Sequence, residues 1–382
     1  MRYLVAALSI LGLLVVGVVA GTPRKGPYLI YPGDPSRMTI VWQLRSAEDC
    51  SVAWGEDGAF SSGVVHAELV EDGGIYSATL SGLAPSTTYQ YQVRWGEESC
   101  EGRFMSAPSA DADATYFLGW ADTQCVNWQE WPGFHDDTAE MMLEWIEQYP
   151  EYETMVVHAG DWVNNPLEQE WTYFFRPQAV RELLSSLPMQ GCIGNHDLEP
   201  QRSFLRRLDT YTEFSRYWRY PYVEKHYWSF DYGPIHFTIL DVYTTDMLEP
   251  NGEPDLGQRD WAIEDIGSTD RRWKVLLLHN PPCALSGPYG SDDFCEEDDR
   301  LVSEYLLPIL EAGVDLILCG HAHTHYEYDL AGTPVLVMNA ASECHEGEDH
   351  SFYAFDVTWD EWTVHHLTRD ATLGVFRIEK AE

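Results

Sequence analysis

Five short blocks of metal-ligating residue types each follow an apolar run that has the pattern of a β-strand. In chain order the blocks are Asp122-Thr123-Gln124, Gly160-Asp161, Gly194-Asn195-His196-Asp197, His279-Asn280 and Gly320-His321-Ala322-His323. A single block of this kind is commonly a helix cap or a turn. Because open α/β sheets gather their sites at the carboxyl ends of the strands, five such blocks in succession predict one shared site there.

The residue types in these blocks indicate a pair of borderline-to-hard divalent metal ions. Carboxylate, carboxamide oxygen and imidazole suit such ions, and the lack of any Cys-x-x-Cys argues against a thiolate zinc site. Asp161 is the natural bridging ligand, because each of its two oxygens can bind one ion. Glycines precede Asp161, Asn195 and His321, where they would allow the backbone to approach the site closely.

The elements that must position these blocks divide the 382 residues into two patterns. Residues 21–107 have the pattern of short strands separated by turns, without a helical period. Residues 108–114 form a small, polar linker. From residue 115 to 382, short apolar strands alternate with helical stretches, which is typical of an α/β domain. The length suffices for two cores, since a domain typically has about 150 residues.

Periodicity assigns the elements of the second region. Strands are predicted at 116–120, 154–158, 189–193, 235–241, 274–279 and 316–319. Helices are predicted at 138–148, 171–186, 260–266 and 299–312. The five blocks therefore lie at strand ends.

The blocks together resemble those of the calcineurin-like metallophosphoesterase superfamily, which are Asp-x-His, Gly-Asp-x-x, Gly-Asn-His-Asp/Glu, a lone His and Gly-His-x-His. Residues 227–237 and 258–261 further resemble its purple acid phosphatase-like branch. Residues 82–89 resemble the tyrosine corner of fibronectin type III sandwiches, with Trp42 as the core tryptophan. The resemblance implies an all-β, fibronectin III-like sandwich followed by a four-layer α/β-β/α metallophosphoesterase sandwich.

The resemblance also implies a role for each matching residue. Asp122 and His323 would bind the first metal, and Asp161 would bridge the two metals. Asn195, His279 and His321 would bind the second metal. His196 would lie beside the substrate, as a proton donor to the leaving oxygen or as a charge stabiliser.

Two further histidines are less constrained by the sequence. His325 follows Gly-His-x-His and could contact the substrate, but a solvated histidine at a strand end is an equal interpretation. His158 precedes Gly160-Asp161 and is expected to be a core residue.

The chain departs from the family pattern at two positions. Gln124 replaces the histidine of Asp-x-His, and it is either a ligand through its amide oxygen or a hydrogen-bonding residue beside the ligands. Asn164 replaces the tyrosine of the purple enzymes, so no iron charge-transfer colour is expected. The metals are expected to be Fe, Mn or Zn; with Gln124 as a ligand, the first position would favour Mn, Fe or Ca over Zn.

The implied activity is that of an acid-phosphatase-like phosphomonoesterase that uses a hydroxide bridging two metals. The alternatives are a phosphodiesterase acting on nucleotides or lipid head groups, and a non-catalytic surface protein with a degenerate α/β domain. Lys and Arg number 23 against 62 Asp and Glu, a net charge of −39. This charge disfavours nucleic acid and anionic membranes as partners, and small phosphate esters are the expected substrates.

Residues 1–20 have the pattern of a secretory signal peptide. Arg2 precedes an apolar stretch over residues 4–19, and the small residues Val18 and Ala20 suit a cleavage site before Gly21. An uncleaved membrane anchor is the alternative, because the apolar stretch approaches the ~20 residues of a spanning helix. The predicted location is secreted or periplasmic.

The eight cysteines fit an exported protein, because disulfides persist in oxidising compartments. Disulfides are expected between Cys50 and Cys100 and between Cys283 and Cys295. Cys192 and Cys319 lie in apolar strands and are expected to be buried thiols. The state of Cys125 and Cys344 is left open.

Overall fold

The computed structural model describes residues 23–46, 49–71, 73–124, 131–197, 212–223, 225–241, 256–282, 301–342 and 349–380. The predicted signal peptide lies outside the described residues, as do Cys125, Cys283, Cys295 and Cys344. Within these ranges, no helix combines the length and apolar character needed to cross a membrane.

The N-terminal region consists of two four-stranded antiparallel sheets. Their strands are β1 (Lys25–Ile30), β2 (Arg37–Gln43), β3 (Cys50–Gly55), β4 (Gly63–His66), β5 (Glu68–Glu71), β6 (Ile75–Ser81), β7 (Thr88–Trp95) and β8 (Glu98–Met105). The strand orders are β1-β2-β6-β5 and β4-β3-β7-β8. Burial alternates along β7, because successive side chains of a strand point to opposite faces and only one face meets the other sheet.

The predicted tyrosine corner is present in this sandwich. The Ala84 N–H donates to the Tyr89 hydroxyl at 2.9 Å, which ties the start of β7 to the preceding loop. Trp42 is completely buried in the core of the sandwich, as expected. The all-β fold of this region is confirmed.

The expected disulfide between Cys50 and Cys100 is wrong, and both side chains are thiols. Cys50 on β3 lies opposite Trp95 of β7, while Cys100 on β8 lies opposite Val93 of the same strand. Two strand spacings amount to about 9.6 Å, which exceeds the ~7 Å that a disulfide allows between Cα atoms. Cys192 and Cys319 are buried thiols, as predicted.

The C-terminal region contains two six-stranded sheets. Its strands are β9 (Ala114–Trp120), β10 (Val156–His158), β11 (Met189–Gly191), β12 (Trp228–Tyr232), β13 (Ile235–Ile239), β14 (Trp273–Leu277), β15 (Leu316–Cys319), β16 (Tyr326–Leu330), β17 (Thr333–Val337), β18 (Phe352–Thr358), β19 (Glu361–Leu367) and β20 (Thr372–Glu379). The first sheet has the order β11-β10-β9-β18-β19-β20 and the second β12-β13-β14-β15-β17-β16. Strands β9 to β11 are parallel, and so are β13, β14, β15 and β17.

The helices are α1 (Trp131–Gln148), α2 (Glu168–Phe175), α3 (Gln178–Ser186), α4 (Thr212–Tyr217), α5 (Leu256–Ser268) and α6 (Leu307–Glu311). The single helix predicted at 171–186 is divided into α2 and α3, because Pro177 cannot continue a helix and instead precedes α3. A π-helical turn, Leu301–Leu306, precedes α6. Pro308 has no N–H to donate to the Glu304 carbonyl, which accepts from Arg259 at 2.9 Å instead.

The two six-stranded sheets face each other across one core. Phe117 of the first sheet meets Phe237 of the second with ring centroids 5.9 Å apart. On the outer face of the second sheet, Leu276 packs in a separate cluster with Ile266 of α5 and Ile309 of α6. Helices α5 and α6 therefore cover the outer face of the second sheet, and the fold agrees with the expected four-layer arrangement.

The N-terminal sheets pack directly on the C-terminal region. Tyr28 of β1 and Tyr31, which directly follows β1, belong to the same buried hydrophobic cluster as the core of the C-terminal region. The Lys25 ammonium donates to Glu168 of α2 at 2.7 Å, and the Tyr91 hydroxyl donates to the Ser185 carbonyl at 2.7 Å. These contacts join the two regions through a buried seam.

Candidate metal centre

The site begins where the parallel strands of both sheets end. Asp122, Asp161, His321 and His323 all follow strand ends and have positive φ values of 52°, 57°, 70° and 51°. Such left-handed backbone costs a non-glycine residue roughly 1–3 kcal/mol and is concentrated at functional sites. The turns bring these side chains together between the two sheets.

Glycines create the space for these side chains. A Cβ atom at Gly194 would lie 2.1 Å from Asp161 Oδ1, and one at Gly160 would lie 2.5 Å from His279 Nδ1. Gly320 likewise has a ligand-type carboxylate oxygen 2.7 Å from its Cβ position. At each of these three glycines the atoms approached belong to ligand-type side chains, and approach of the backbone to bound metals stays a prediction.

The centre of the cluster is formed by Asp161, His279 and His321, whose ligand atoms all lie within 4.8 Å of one another. His279 Nε2 lies 3.1 Å from Asp161 Oδ2 and 3.3 Å from His321 Nδ1. Asn195 Oδ1 is 3.0 Å from the same His321 nitrogen. The structure thus brings together the three residues predicted for the second metal, next to the predicted bridging carboxylate.

The residues predicted for the first metal adjoin this cluster. His323 Nε2 lies 3.6 Å from Asp122 Oδ1. Gln124 Nε2 donates to Asp161 Oδ2 at 3.1 Å and lies 3.1 Å from His323 Nε2. Gln124 therefore lies between the predicted bridging carboxylate and the histidine predicted for the first metal.

Hydrogen bonds orient the imidazoles. His279 Nδ1–H donates to the Ala159 carbonyl at 2.6 Å, so its Nε2 faces the carboxylates. His196 Nδ1–H donates to the Asn164 carbonyl at 3.0 Å, and the His196 backbone N–H donates to Asp161 Oδ1 at 2.7 Å. His196 therefore lies beside the predicted bridging carboxylate, and its Nε2 is not the nitrogen used for the bond to Asn164.

Burial and neighbouring charges shift the pKa values of the cluster. Burial raises the pKa of Asp122 to about 6. Burial acts in the same direction on Asp161, but the His279 imidazole outweighs it and lowers the pKa of Asp161 below its usual range. The pKa of His279 is raised to about 9 because Asp161 outweighs burial. Burial and the positive His279 lower the pKa of His321 to about 3.

This donor set fits divalent cations. The two buried carboxylates, one amide oxygen and three imidazoles are the ligand types of borderline-to-hard metals. Gln124 Oε1 is buried and has no hydrogen-bond partner within the described ranges. The cluster therefore contains one more oxygen atom that could bind a metal. A cation would compensate the carboxylates, whose burial is otherwise unfavourable.

The two further histidines considered in the sequence, His325 and His158, have other surroundings. His325 Nδ1 is 3.1 Å from the Tyr353 hydroxyl, and its ring packs against His366 with centroids 4.2 Å apart. Its role as a substrate contact stays a prediction. His158 is completely buried, stacks on Trp162 and lies 3.0 Å from the Thr123 hydroxyl, which confirms it as a core residue.

Asp197 supports the site in a way that sequence reasoning missed. Its carboxylate accepts four backbone N–H groups, at distances of 2.8 to 3.2 Å; the donors are Asp161, Trp162, Val163 and Gly194. The residue thereby fixes the loop after β10 against the loop after β11. The sequence signal that could have indicated this role is the position of Asp197 directly after Asn195 and His196.

Comparison with known proteins defines the class to which this fold and site belong. The model of the calcineurin-like phosphoesterase family matches residues 117–325, more than half of the chain. The chain belongs to this family. Residues 25–108 match the N-terminal domain of purple acid phosphatases. This pairing of domains confirms the resemblance to the purple acid phosphatase branch.

Individual relatives agree with this assignment. Purple acid phosphatase 23 of Arabidopsis thaliana is 28% identical over 42% of this chain, and the match spans only 32% of that protein. Human acid phosphatase type 7 is 22% identical over 80% of this chain and 71% of its own length. The purple acid phosphatase structure from yellow lupin, at 16% identity, covers 94% of this chain and 75% of that one with a TM-score of 0.72, which shows the shared fold.

Proposed function

We propose that this protein is a metal-dependent phosphohydrolase of the acid-phosphatase type, acting on small phosphate monoesters. The observation that carries the proposal is the cluster of Asp161, His279 and His321, whose ligand atoms lie within 4.8 Å of one another. Membership of the calcineurin-like phosphoesterase family supports it.

Two metal ions would be held by the residues of this cluster. Asp122, His323 and Asp161 would hold the first ion, and Asn195, His279 and His321, with Asp161 shared, the second. Gln124 would complete the first position through its amide oxygen. When bound, such ions activate water and withdraw charge from a phosphoryl group.

The chain's own residues would position the ester and move the proton. Asp161 is suited to bridging because its Oδ1 accepts the His196 N–H while its Oδ2 faces His279 and Gln124. His196 is held by Asn164 through Nδ1–H, so in its protonated form the second proton is on Nε2, from which it can pass to the departing alkoxide and leave a neutral imidazole. Asp197 would maintain the spacing of the loops that carry Asp161 and His196.

We also propose that the protein is exported. The basis is the predicted signal peptide at 1–20, followed by domains at 21–107 and 115–382 joined by the linker 108–114. N-terminal sequencing of the protein recovered outside its producing cells would show Gly21 as the first residue. A start at Met1 would instead support the membrane-anchor alternative.

Metal content and turnover test the proposed activity together. Purified protein is analysed for bound metals, and its hydrolysis of p-nitrophenyl phosphate is measured before and after chelation. We expect two transition ions per chain and turnover that is lost with chelator and restored by metal. Protein that binds no metal after reconstitution and shows no turnover would overturn the proposal and favour a non-catalytic binding role.

The preference for monoesters has its own test. p-Nitrophenyl phosphate and bis(p-nitrophenyl) phosphate share a leaving group, so their kcat/KM values compare monoester with diester directly. We expect the monoester to be the better substrate. Equal or faster diester hydrolysis would reassign the protein as a phosphodiesterase.

A further inference from the structure

A carboxylate outside the metal-ligating cluster holds the segment that contacts His196. Glu170 lies in the first turn of α2. Its Oε2 accepts the Asn165 backbone N–H at 2.5 Å, and its Oε1 accepts a hydrogen of the Asn165 side-chain amide at 3.0 Å. The Asn164 backbone N–H is a further donor to this carboxylate. Both oxygens of Glu170 are therefore bonded to the segment formed by Asn164 and Asn165.

One peptide group joins Glu170 to His196. The Asn165 N–H that donates to Glu170 and the Asn164 carbonyl that accepts His196 Nδ1–H belong to the same peptide unit. Because a peptide unit is planar and its N–H and C=O point in opposite directions, fixing the N–H also fixes the direction of the carbonyl. Burial raises the pKa of Glu170, and the His196 imidazole opposes this effect, so the two side chains lie within electrostatic reach of each other.

Helix α2 is a fixed base for this contact. Trp171, next to Glu170 in the chain, is completely buried, and its ring centroid lies 5.4 Å from that of Tyr217. Glu168, the first residue of α2, accepts from the Lys25 ammonium at 2.7 Å. The helix is therefore held both by the core and by the N-terminal sheets.

Asp197 and Glu170 hold successive parts of the loop after β10. Asp197 accepts the backbone N–H groups of residues 161–163, the part that carries the predicted bridging carboxylate. Glu170 accepts from residues 164 and 165, the part that contacts His196. Because the part with Asp161 has its own carboxylate, loss of Glu170 should leave the metals bound.

We propose that Glu170 is a positioning residue for His196: it holds the Asn164 carbonyl in the place where it accepts Nδ1–H, and so directs His196 Nε2 at the oxygen of the leaving group. This inference rests on the proposed phosphohydrolase function. An imidazole free to turn would present Nε2 in the productive direction for only part of the time, and misplacement of a reacting group lowers the rate of the step that uses it.

The leaving group tests this role. kcat/KM is measured for phenyl phosphate and p-nitrophenyl phosphate, because phenolate is the poorer leaving group and depends more on proton donation. We expect Glu170→Ala to lose about tenfold more kcat/KM on phenyl phosphate than on p-nitrophenyl phosphate. Glu170→Gln keeps one acceptor oxygen and should show a smaller loss in the same direction. Metal content and the inhibition constant of inorganic phosphate should match the wild type.

Glu168→Gln is the matched control. Glu168 is a carboxylate of the same helical turn and is 35% exposed, but its side chain contacts Lys25, Arg24 and Tyr217 on the side of the N-terminal sheets. The ratio of the two kcat/KM values should therefore stay that of the wild type in this variant. Equal losses on the two esters in the Glu170 variants would overturn the positioning role.

A double-mutant cycle shows whether Glu170 acts through His196. In a His196→Ala background the imidazole is absent, so Glu170→Ala should change kcat/KM on phenyl phosphate by less than about twofold. The full tenfold loss in that background would overturn the proposal, because Glu170 would then act by another route.

The state of the His196 ring provides a readout that needs no turnover. Long-range ¹H–¹⁵N spectra of the zinc-loaded protein report the tautomer of each histidine, and His196→Ala assigns the signal. We expect a single Nδ1–H tautomer in the wild type and a mixture of tautomers in Glu170→Ala. An unchanged tautomer would overturn the positioning role. A wild type without turnover of either ester would overturn the phosphohydrolase function, and the spectra would then decide on Glu170.

Discussion

Buried charges occur both at the seam between the N-terminal and C-terminal sheets and at the metal-ligating cluster, and the fold compensates them differently. At the seam, the Lys25 ammonium donates to Gln43 at 2.8 Å and to Glu168 at 2.7 Å, and it lies 4.7 Å from the centre of the Tyr217 ring. At the cluster, Asp122 and Asp161 share the His279 imidazole, whose Nε2 is 3.8 Å from one and 3.1 Å from the other.

We interpret the difference as one between charges that stabilise the fold and charges that would serve the proposed chemistry. A buried ammonium surrounded by a carboxylate, an amide oxygen and a ring face has its desolvation offset within the chain. The carboxylates of the cluster lie on backbone with positive φ, beside Gln124 Oε1, which accepts no hydrogen bond from the part of the chain that the structure describes. Changes at the seam should therefore alter stability, whereas changes at the cluster should alter metal binding and turnover.

The largest effect is expected from His321→Ala. This substitution removes a ligand that lies within 4.8 Å of the other two central ligand atoms. Loss of residues that merely support ligands costs about 10- to 100-fold, so loss of this ligand should reduce kcat by more than about 100-fold and release one ion. Elemental analysis and p-nitrophenyl phosphate kinetics measure both. Two ions per chain with normal turnover would contradict the assignment.

Gly194→Ala should damage the site without removing any ligand. The new Cβ would meet Asp161 Oδ1 at 2.1 Å, so the carboxylate must move. We expect metal affinity and kcat to fall by about 10- to 100-fold. Gly267→Ala is the control, because its Cβ would have open space on α5 and should leave metal affinity and kcat unchanged. Equal metal affinity and equal kcat in the two variants would show that the close approach of Gly194 to Asp161 is not needed for function.

His236 tests whether a buried charge that is compensated within the chain contributes to stability. Asp231 and Asp265 outweigh burial and raise its pKa to about 9, above an unfolded value near 6.5. Its contribution, about 3 kcal/mol, is fully present below pH 6.5 and is lost as the pH rises through 9. Urea unfolding from pH 6 to 10 should show this decline in the wild type and not in His236→Asn. Parallel curves for the two proteins would exclude the effect.

Lys25→Met should produce a smaller loss of stability. Glu168 is 35% exposed and keeps Arg24 as a partner, so the free energy of unfolding should fall by only about 1–2 kcal/mol. Metal content and kcat/KM of the folded protein should match the wild type. A loss of turnover in fully folded Lys25→Met would show that the seam influences the metal-ligating cluster.

The smallest effect is expected from Gln124→His. Imidazole is a stronger donor than an amide oxygen, so a ligating position should retain its metal affinity or gain up to about tenfold. Metal titration monitored by calorimetry measures the change. A fall in affinity would instead show that Gln124 acts through its hydrogen bond to Asp161.

Much of the site was predictable because its signals are local. Ligand-type residues at strand ends predicted the convergence of Asp161, His279 and His321, and the adjacent glycines predicted close approach. The break between α2 and α3 was missed by the sequence analysis, although Pro177 is a local signal for it. The role of Asp197 was not, because its four donors come from two loops that only the folded chain brings together.

The sequence by itself determined which residue types stand at the strand ends, where glycine and proline occur, and which family the chain resembles. These are properties of short segments, set by side-chain chemistry and backbone freedom. Only the tertiary structure decided that Cys50 and Cys100 stand two strands apart and that His196 faces the Asn164 carbonyl. Strand order and register decide such pairings, because packing of the whole core selects neighbours that lie far apart along the chain.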